Sequence, residues 1–272
     1  MGPAGCQPGG SVEVDKWRRR LSVLLCPPTC VLCGAGAERR DLCAGCERDL
    51  PRPDRACPRC ALPLPGTGES HCGRCQQRPP PFERALCAFD YAFPVDRLLQ
   101  ALKFRGALVN GRLLGELLAE HVARFSPVLP ATIVPMPLYR SRLGERGFNQ
   151  AFEIARPLAR RFGRPLETRR VTRVRATLEQ TGLDARARRA NLRGAFSALP
   201  GGWPAHVAVV DDVMTTGSTA SELTRSLRRA GVRRIEVWCV ARAAQGRIHS
   251  ANGKRRVETR PTGKRCNRAG CR

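Results

Sequence analysis

Acidic side chains are scarce in this 272-residue chain: 23 Asp and Glu stand against 48 Lys and Arg, a formal net charge of +25. That imbalance favours polyanionic ligands such as phosphates, nucleic acid or an acidic partner. A solvated basic surface is the alternative for any single patch. Lysine is rarer still, limited to Lys16, Lys103, Lys254 and Lys264. Arginine in its place, with abundant Ala, Gly and Pro, fits a GC-rich coding sequence, which does not account for the shortage of acid. Long apolar runs are also missing. Leu21–Leu25 is far too short to span a bilayer, and the first residues hold no apolar stretch of the secretory kind. A cytoplasmic protein without a membrane span is therefore expected. Neither G-x-x-x-x-G-K-[ST] nor G-x-G-x-x-G occurs, which argues against a P-loop nucleotidase and a dinucleotide fold.

Cysteine, by contrast, is abundant, with 14 residues. Eight of them form four successive C-x-x-C knuckles: Cys30/Cys33, Cys43/Cys46, Cys57/Cys60 and Cys72/Cys75. Each knuckle turns two sulfurs toward one point, and two knuckles supply the tetrahedron of thiolates that Zn²⁺ prefers. Paired spacing without a secretory leader points to zinc in a reducing compartment rather than to disulfides. The segments between successive knuckles suit short hairpins; sequential pairing gives two four-cysteine sites, and cross-braced pairing fits the same spacing. His71 is a possible substitute ligand. Sites of this kind, with no spare ligand position, are structural staples.

The length accommodates one medium domain and a smaller one. Val12–Leu25 reads as a short amphipathic helix ended by Pro27 and Pro28, and the expected ribbon domain spans residues 12–79. Gln76–Pro81 is a stiff linker, followed by a second domain over 82–243. Alternation at Cys87, Phe89, Tyr91 and Phe93 predicts a strand. Val95–Phe104 and Leu108–Phe125 read as amphipathic helices. Lys103 and Arg105 flank the Gly106 break, either within reach of an anion or as a solvated helix end. Ala131–Leu138 is a strand whose Pro135 and Pro137 belong at a sheet rim. A loop over Tyr139–Gly147 follows, carrying Arg140, Arg142 and Arg146, and a helix then runs to about Phe162. Arg173–Phe196 is strongly basic with a poor apolar stripe. It is expected to form a flap that closes Arg175, Gln180, Arg189 and Asn191 on anions, or else an exposed basic helix. Residues 244–272 are polar, basic and aperiodic, a disordered tail in this reading; Cys266 and Cys271 are too weak a pair to claim metal.

The remaining segment, His206–Gly231, carries the chemistry. Val207–Val210 is a buried strand ending on Asp211 and Asp212. Thr215, Thr216, Gly217, Ser218 and Thr219 form a hydroxyl-rich loop. A helix follows, with Thr219 as N-cap, Glu222 completing a capping box and Gly231 as the stop. Strand, acid pair, loop and helix N-terminus describe a site for a phosphorylated sugar. Backbone N–H groups and hydroxyls hold the phosphate, Gly217 allows close approach, and the carboxylates face ribose hydroxyls or a hydrated Mg²⁺. An ordinary capped βα turn is the plain alternative. In an open parallel sheet the Arg140–Arg146 loop meets this one at the strands' carboxyl ends, where arginine forks suit a pyrophosphate.

Taken together, the tandem C-x-x-C knuckles, VPMPL, RLGERGFNQA, RVRATLEQTGLDARARRAN and VAVVDDVMTTGST resemble the ComF (competence protein F, GntX-like) family from about Trp17 to Arg242. The basic extension after Arg242 and the extra Cys26 depart from the pattern. The resemblance implies an α/β fold: a type I phosphoribosyltransferase-like parallel sheet flanked by helices, preceded by a small double zinc ribbon with two structural Zn²⁺. It implies phosphoribosyl pyrophosphate (PRPP) bound with Mg²⁺, its ribose on Asp211 and Asp212 and its 5′-phosphate on Thr215–Thr219. It also implies a cytoplasmic role in DNA uptake, with single-stranded DNA, a helicase or other competence proteins as partners. Nucleobase or small-molecule salvage, with incidental basicity, is the rival expectation.

Overall fold

A computed structural model describes residues 28–66, 71–176 and 192–243. The Val12–Leu25 helix, Gln180, Arg189 and Asn191 of the flap, and the tail fall outside the described residues.

Four parallel strands form the central sheet. Strands β1 (Arg84–Asp90) and β2 (Thr132–Pro135) are the edges, and β5 (His206–Met214) and β6 (Arg234–Arg242) the centre, in the order β1-β6-β5-β2. The central strands are almost continuously apolar, as strands covered on both faces must be. One face carries Ala208, Val210, Trp238 and Val240 against helices α3 (Val95–Arg105), α4 (Leu108–Phe125) and α6 (Gln150–Phe162). Val207, Val209, Val237 and Cys239 line the other, beneath α7 (Ser218–Arg229) and the antiparallel pair β3 (Val171–Arg173) and β4 (Phe196–Ala198). All four parallel strands end at one rim, so the connections leaving β1, β2, β5 and β6 share one side of the molecule.

The α3 and α4 boundaries match the apolar spacing almost residue for residue. Leu98, Leu99 and Leu102 of α3 are buried, as are Leu113, Leu114, Leu117 and Leu118 of α4. Where α4 crosses α6, Gly115 is obligatory: a Cβ there would lie 2.3 Å from the Ile154 carbonyl oxygen. Asn149 caps α6, its side chain accepting from the Ala151 N–H at 3.0 Å.

The predicted loop over Tyr139–Gly147 is instead a short helix, α5 (Arg140–Arg146), stopped by Gly147 in the left-handed region. Gly144 within it stops nothing, since only one of the two glycines takes a positive φ. The first knuckle of each pair lies in a turn closed by a single bridge, Thr29 with Gly36 and Ala56 with Pro63. The second knuckle of each pair sits on one helical turn: α1 (Ala44–Arg48) after Cys43 and α2 (Gly73–Gln77) after Cys72.

Both cysteine lobes dock on the sheet domain. Arg40 reaches Glu120 of α4 at 2.9 Å, and Asp41 pairs with Arg112 at the same distance. Arg52 lies over the Phe89 ring, and the Asp90 N–H donates to the Pro51 carbonyl. From the second lobe, the Arg59 carbonyl accepts from the Ala85 N–H at 3.0 Å.

Candidate functional site

The sulfurs of Cys30, Cys33, Cys43 and Cys46 lie within 4.8 Å of one another, as do those of Cys57, Cys60, Cys72 and Cys75. Sequential pairing is thus the arrangement found, and His71 belongs to neither cluster. The fit to zinc can be tested on distances. A tetrahedron with Zn–S bonds of about 2.3 Å has edges near 3.8 Å. The Cys33–Cys43 and Cys60–Cys72 sulfur separations are 3.7 and 3.6 Å, far beyond a disulfide bond. The Cys72 N–H points at the Cys57 sulfur. Burial raises the Cys57 thiol, but N–H groups of Cys72, Cys60 and Arg59 outweigh it and bring the pKa to about 7. Cys30 is treated the same way by Cys43, Cys33 and Leu32 and falls to about 6. Both clusters are consistent with two structural zinc ions.

Strand β5 runs four residues past the apolar Val207–Val210 run, so the acid pair stands within the strand rather than beyond it. Asp211 lies opposite Cys239 of β6, and its Oδ1 accepts the Asp212 N–H at 2.9 Å. Burial, then the Asp212 charge, push the Asp211 carboxyl well above its ordinary pKa, while Lys103 pulls it down. Asp212 is 5% exposed. Its Oδ1 accepts from the Val213 N–H at 2.7 Å and its Oδ2 meets Lys103 Nζ at 2.8 Å. Two adjacent carboxyls, one of them paired with an ammonium, suit ribose hydroxyls or a hydrated divalent cation. The sequence placed Lys103 at a helix end near an anion, but nothing local named Asp212 as its partner.

Thr215, Thr216 and Gly217 follow β5, and Ser218 and Thr219 open α7. The expected capping box is absent. Gly217, at φ +73°, holds the N-cap position, and the helix starts before Thr219. Glu222 instead accepts from the Gly194 N–H at 2.9 Å and pairs with Arg225. A Cβ at Gly217 would touch Met214 only at ordinary contact distance, so glycine is required there by the left-handed backbone. Thr216 and Ser218 hydroxyls bond each other at 2.8 Å. Gly217 offers no side-chain cap; the Ser218 N–H donates to Thr216 Oγ1 at 3.3 Å, and the Thr219 and Ala220 N–H groups that follow have no intrahelical acceptor.

The arginines of α5 divide. Arg146 donates to Gln150 Oε1 at 2.8 Å and lies over the exposed Phe104 ring, beside Lys103. Arg140 lines a cavity of about 570 Å³ at the end of β2, with Tyr139, Phe152 and Arg173 among its walls. The Thr215–Thr219 loop is not part of that cavity. Thr216, Gly217 and Ser218 border a separate cleft of about 1060 Å³, whose far wall is the second cysteine lobe and the Pro79–Pro81 linker. Arg142 is half-buried on α5. Arg175 donates to the Arg193 carbonyl at 3.1 Å. Arg173 and Phe196, the two ends of the expected flap, are paired partners in the β3–β4 ladder.

Arg242, at the end of β6, was missed by sequence reading. It is 3% exposed, and its guanidinium donates to the carbonyls of Cys60, Met214, Thr215 and Ala243. A lone arginine closing a strand leaves no periodic signal.

Comparison with known proteins places a double zinc ribbon domain over residues 21–76 and a phosphoribosyl transferase domain over 149–267. The DNA utilization protein YhgH of Salmonella typhi is 38% identical over 226 residues, covering 81% of this chain and 99% of that one. Competence protein F of Haemophilus influenzae is 36% identical over 212 residues, covering 75% and 92%. A solved glutamine PRPP amidotransferase from B. subtilis is 21% identical, with a TM-score of 0.31 over 47% of this chain and 26% of its own, a likeness too slight to add to the family match.

Proposed function

We infer the function from one premise: the chain belongs to the family of competence protein F and DNA utilization protein YhgH, built from a double zinc ribbon and a phosphoribosyltransferase domain. We propose a cytoplasmic, PRPP-binding protein that acts in DNA uptake through contact with single-stranded DNA or the uptake machinery. Asp211 and Asp212 hold the ribose hydroxyls, and Thr215–Thr219 with the first N–H groups of α7 hold the 5′-phosphate. Arg140, Arg142 and Arg146 take the pyrophosphate, with Arg175, Gln180, Arg189 and Asn191 closing from the flap. The carrying observation is the acid pair, with Asp212 on Lys103, standing shortly before a hydroxyl-rich helix start that has glycine at its N-cap. That pair also suits Mg²⁺, which would neutralise the diphosphate when bound.

The cavity beside Arg140 favours a second reading, catalysis, because Tyr139 and Phe152 give it faces for a flat acceptor. In that reaction the bond from the anomeric carbon to pyrophosphate breaks through an oxocarbenium-like state. A bond to the acceptor forms, and pyrophosphate leaves with the electron pair. The chain's own contribution is orientation and charge placement. Pyrophosphate release in a screen of purines, pyrimidines and pyridines tests this; silence across them removes it.

The DNA part is tested by salt titration of single-stranded oligonucleotide binding. Affinity is expected to fall linearly on a log–log scale, by about 0.7 per phosphate contact. No binding even at low salt would overturn it.

A further inference from the structure

The cleft of about 1060 Å³ beside the phosphate loop has more room than one sugar phosphate needs, and six of the residues that line it are arginine. On one side is a single face of α7. Ser218, Ser221, Glu222, Arg225 and Arg229 are spaced three or four residues apart and run about 16 Å from the loop along the helix. Facing it, Arg74 and Arg78 come from the last turn of the second ribbon, and Arg193 from the base of β4. Arg74, Arg78, Arg193 and Arg229 have no carboxylate partner among the described residues; Arg225 shares Glu222. The cleft stays positive even with the charge of about −2 that a zinc-loaded cluster of four thiolates brings to its wall. Asp211 and Asp212 do not line it. The Thr216–Ser218 turn therefore stands at one end of the row of side chains on α7, in a basic cleft whose lining does not include the acid pair.

A ligand matching this arrangement has a terminal phosphate for the turn and a train of further phosphates for the arginines. PRPP has the first and not the second. An internal stretch of polynucleotide has the second and no free end for the turn. We propose that this channel receives the 5′-phosphorylated end of a single DNA strand, with the terminal phosphate on the Thr216–Ser218 turn. The following phosphodiesters lie between Arg225 and Arg229 on α7 and Arg74 and Arg78 on the ribbon. The choice of DNA rests on the uptake reading above; the end preference rests on the channel. Because the terminal phosphate and the 5′-phosphate of PRPP would use the same turn, the two ligands exclude each other. The second ribbon is then a wall of a binding site as well as a folding staple.

The test uses the zinc-loaded full chain and a fluorescent dodecathymidylate carrying either a 5′-phosphate or a 5′-hydroxyl. The 5′-hydroxyl strand carries its phosphate at the 3′ end, so both strands have the same charge; loose contacts of basic surface elsewhere then treat them alike, and the contrast isolates the channel. One added charge-assisted contact predicts about tenfold tighter binding of the phosphorylated strand. Ribose 5-phosphate in excess should bring it down to the level of the hydroxyl form. Arg74→Ala/Arg78→Ala, on the exposed ribbon turn, should weaken both strands. Arg225→Ala/Arg229→Ala should do the same from the other wall, so that misfolding of one variant leaves a second reading. Asp211→Asn/Asp212→Asn should keep the end preference while losing PRPP, which separates this channel from the sugar site. Equal affinity for the two ends, or full affinity in both arginine variants, would overturn the proposal and leave PRPP binding untouched.

Discussion

The Arg242 Nε donates to the Cys60 carbonyl at 3.1 Å, and the same guanidinium holds the Met214 carbonyl at 2.9 Å. A residue at the end of β6 thus fastens the second cysteine cluster to the start of the Thr215–Thr219 loop. Arg242→Met leaves several buried carbonyls unpaired, a cost of about 1–3 kcal/mol. Urea unfolding of the variant should show that loss, and Arg242→Lys should not restore it, because an ammonium cannot fork between carbonyls on two elements. Stability equal to the parent would remove Arg242 as the link.

Metal content is the next prediction. Elemental analysis should find about two zinc per chain. Stripping it with a chelator should lower the melting temperature of the whole chain. The first lobe is tied to α4 through Arg40–Glu120 and Asp41–Arg112, and the second through Arg242. Fewer than one zinc per chain contradicts the double-ribbon assignment.

Asp211 sets the pH behaviour. Burial and Asp212 hold its folded-state pKa above the ordinary carboxylate value. The native chain therefore binds a proton more readily than the unfolded one, and stability falls as pH rises from the unfolded value toward the folded one. Asp211→Asn should make the ligand-free protein more stable at neutral pH, seen as a higher melting temperature. PRPP affinity needs the ionised pair and should increase with pH. Lys103→Met removes the charge that pulls Asp211 down and should shift that increase to higher pH. An unmoved profile in Lys103→Met contradicts the pairing.

At the opposite end of the sheet, buried Glu236 accepts from Trp238 Nε1 at 3.1 Å and Arg84 Nη2 at 3.2 Å, pairs with Arg234, and lies 3.2 Å from His206 Nε2. Burial lowers the His206 pKa, against the pull of Glu236. Glu236→Ala should cost about 3–5 kcal/mol in denaturant unfolding. A loss below about 1 kcal/mol would show the cluster to be dispensable.

The parts of this protein that were legible in the sequence are those whose signal is local. C-x-x-C spacing needs only two residues of separation, and the α3 and α4 stripes repeat within each helix. The β5 run, the acid pair and the hydroxyl loop are contiguous. What escaped depends on distant partners. Glu222 has the spacing of a capping box, but Gly217 starts the helix early and the Gly194 N–H claims the carboxylate. The glycine-bearing Tyr139–Gly147 stretch reads as a loop, but composition does not reveal that Gly147 and not Gly144 takes a positive φ. The Lys103–Asp212 and Arg242–Cys60 contacts join residues far apart in the chain, where pattern carries no information.

The most direct measurement is calorimetric titration of the zinc-loaded chain with PRPP and Mg²⁺, beside Asp211→Asn/Asp212→Asn. Saturable binding to the parent that disappears in the variant is the expected result. Absence of binding to the parent, or equal binding to both, would contradict a PRPP site built on the acid pair.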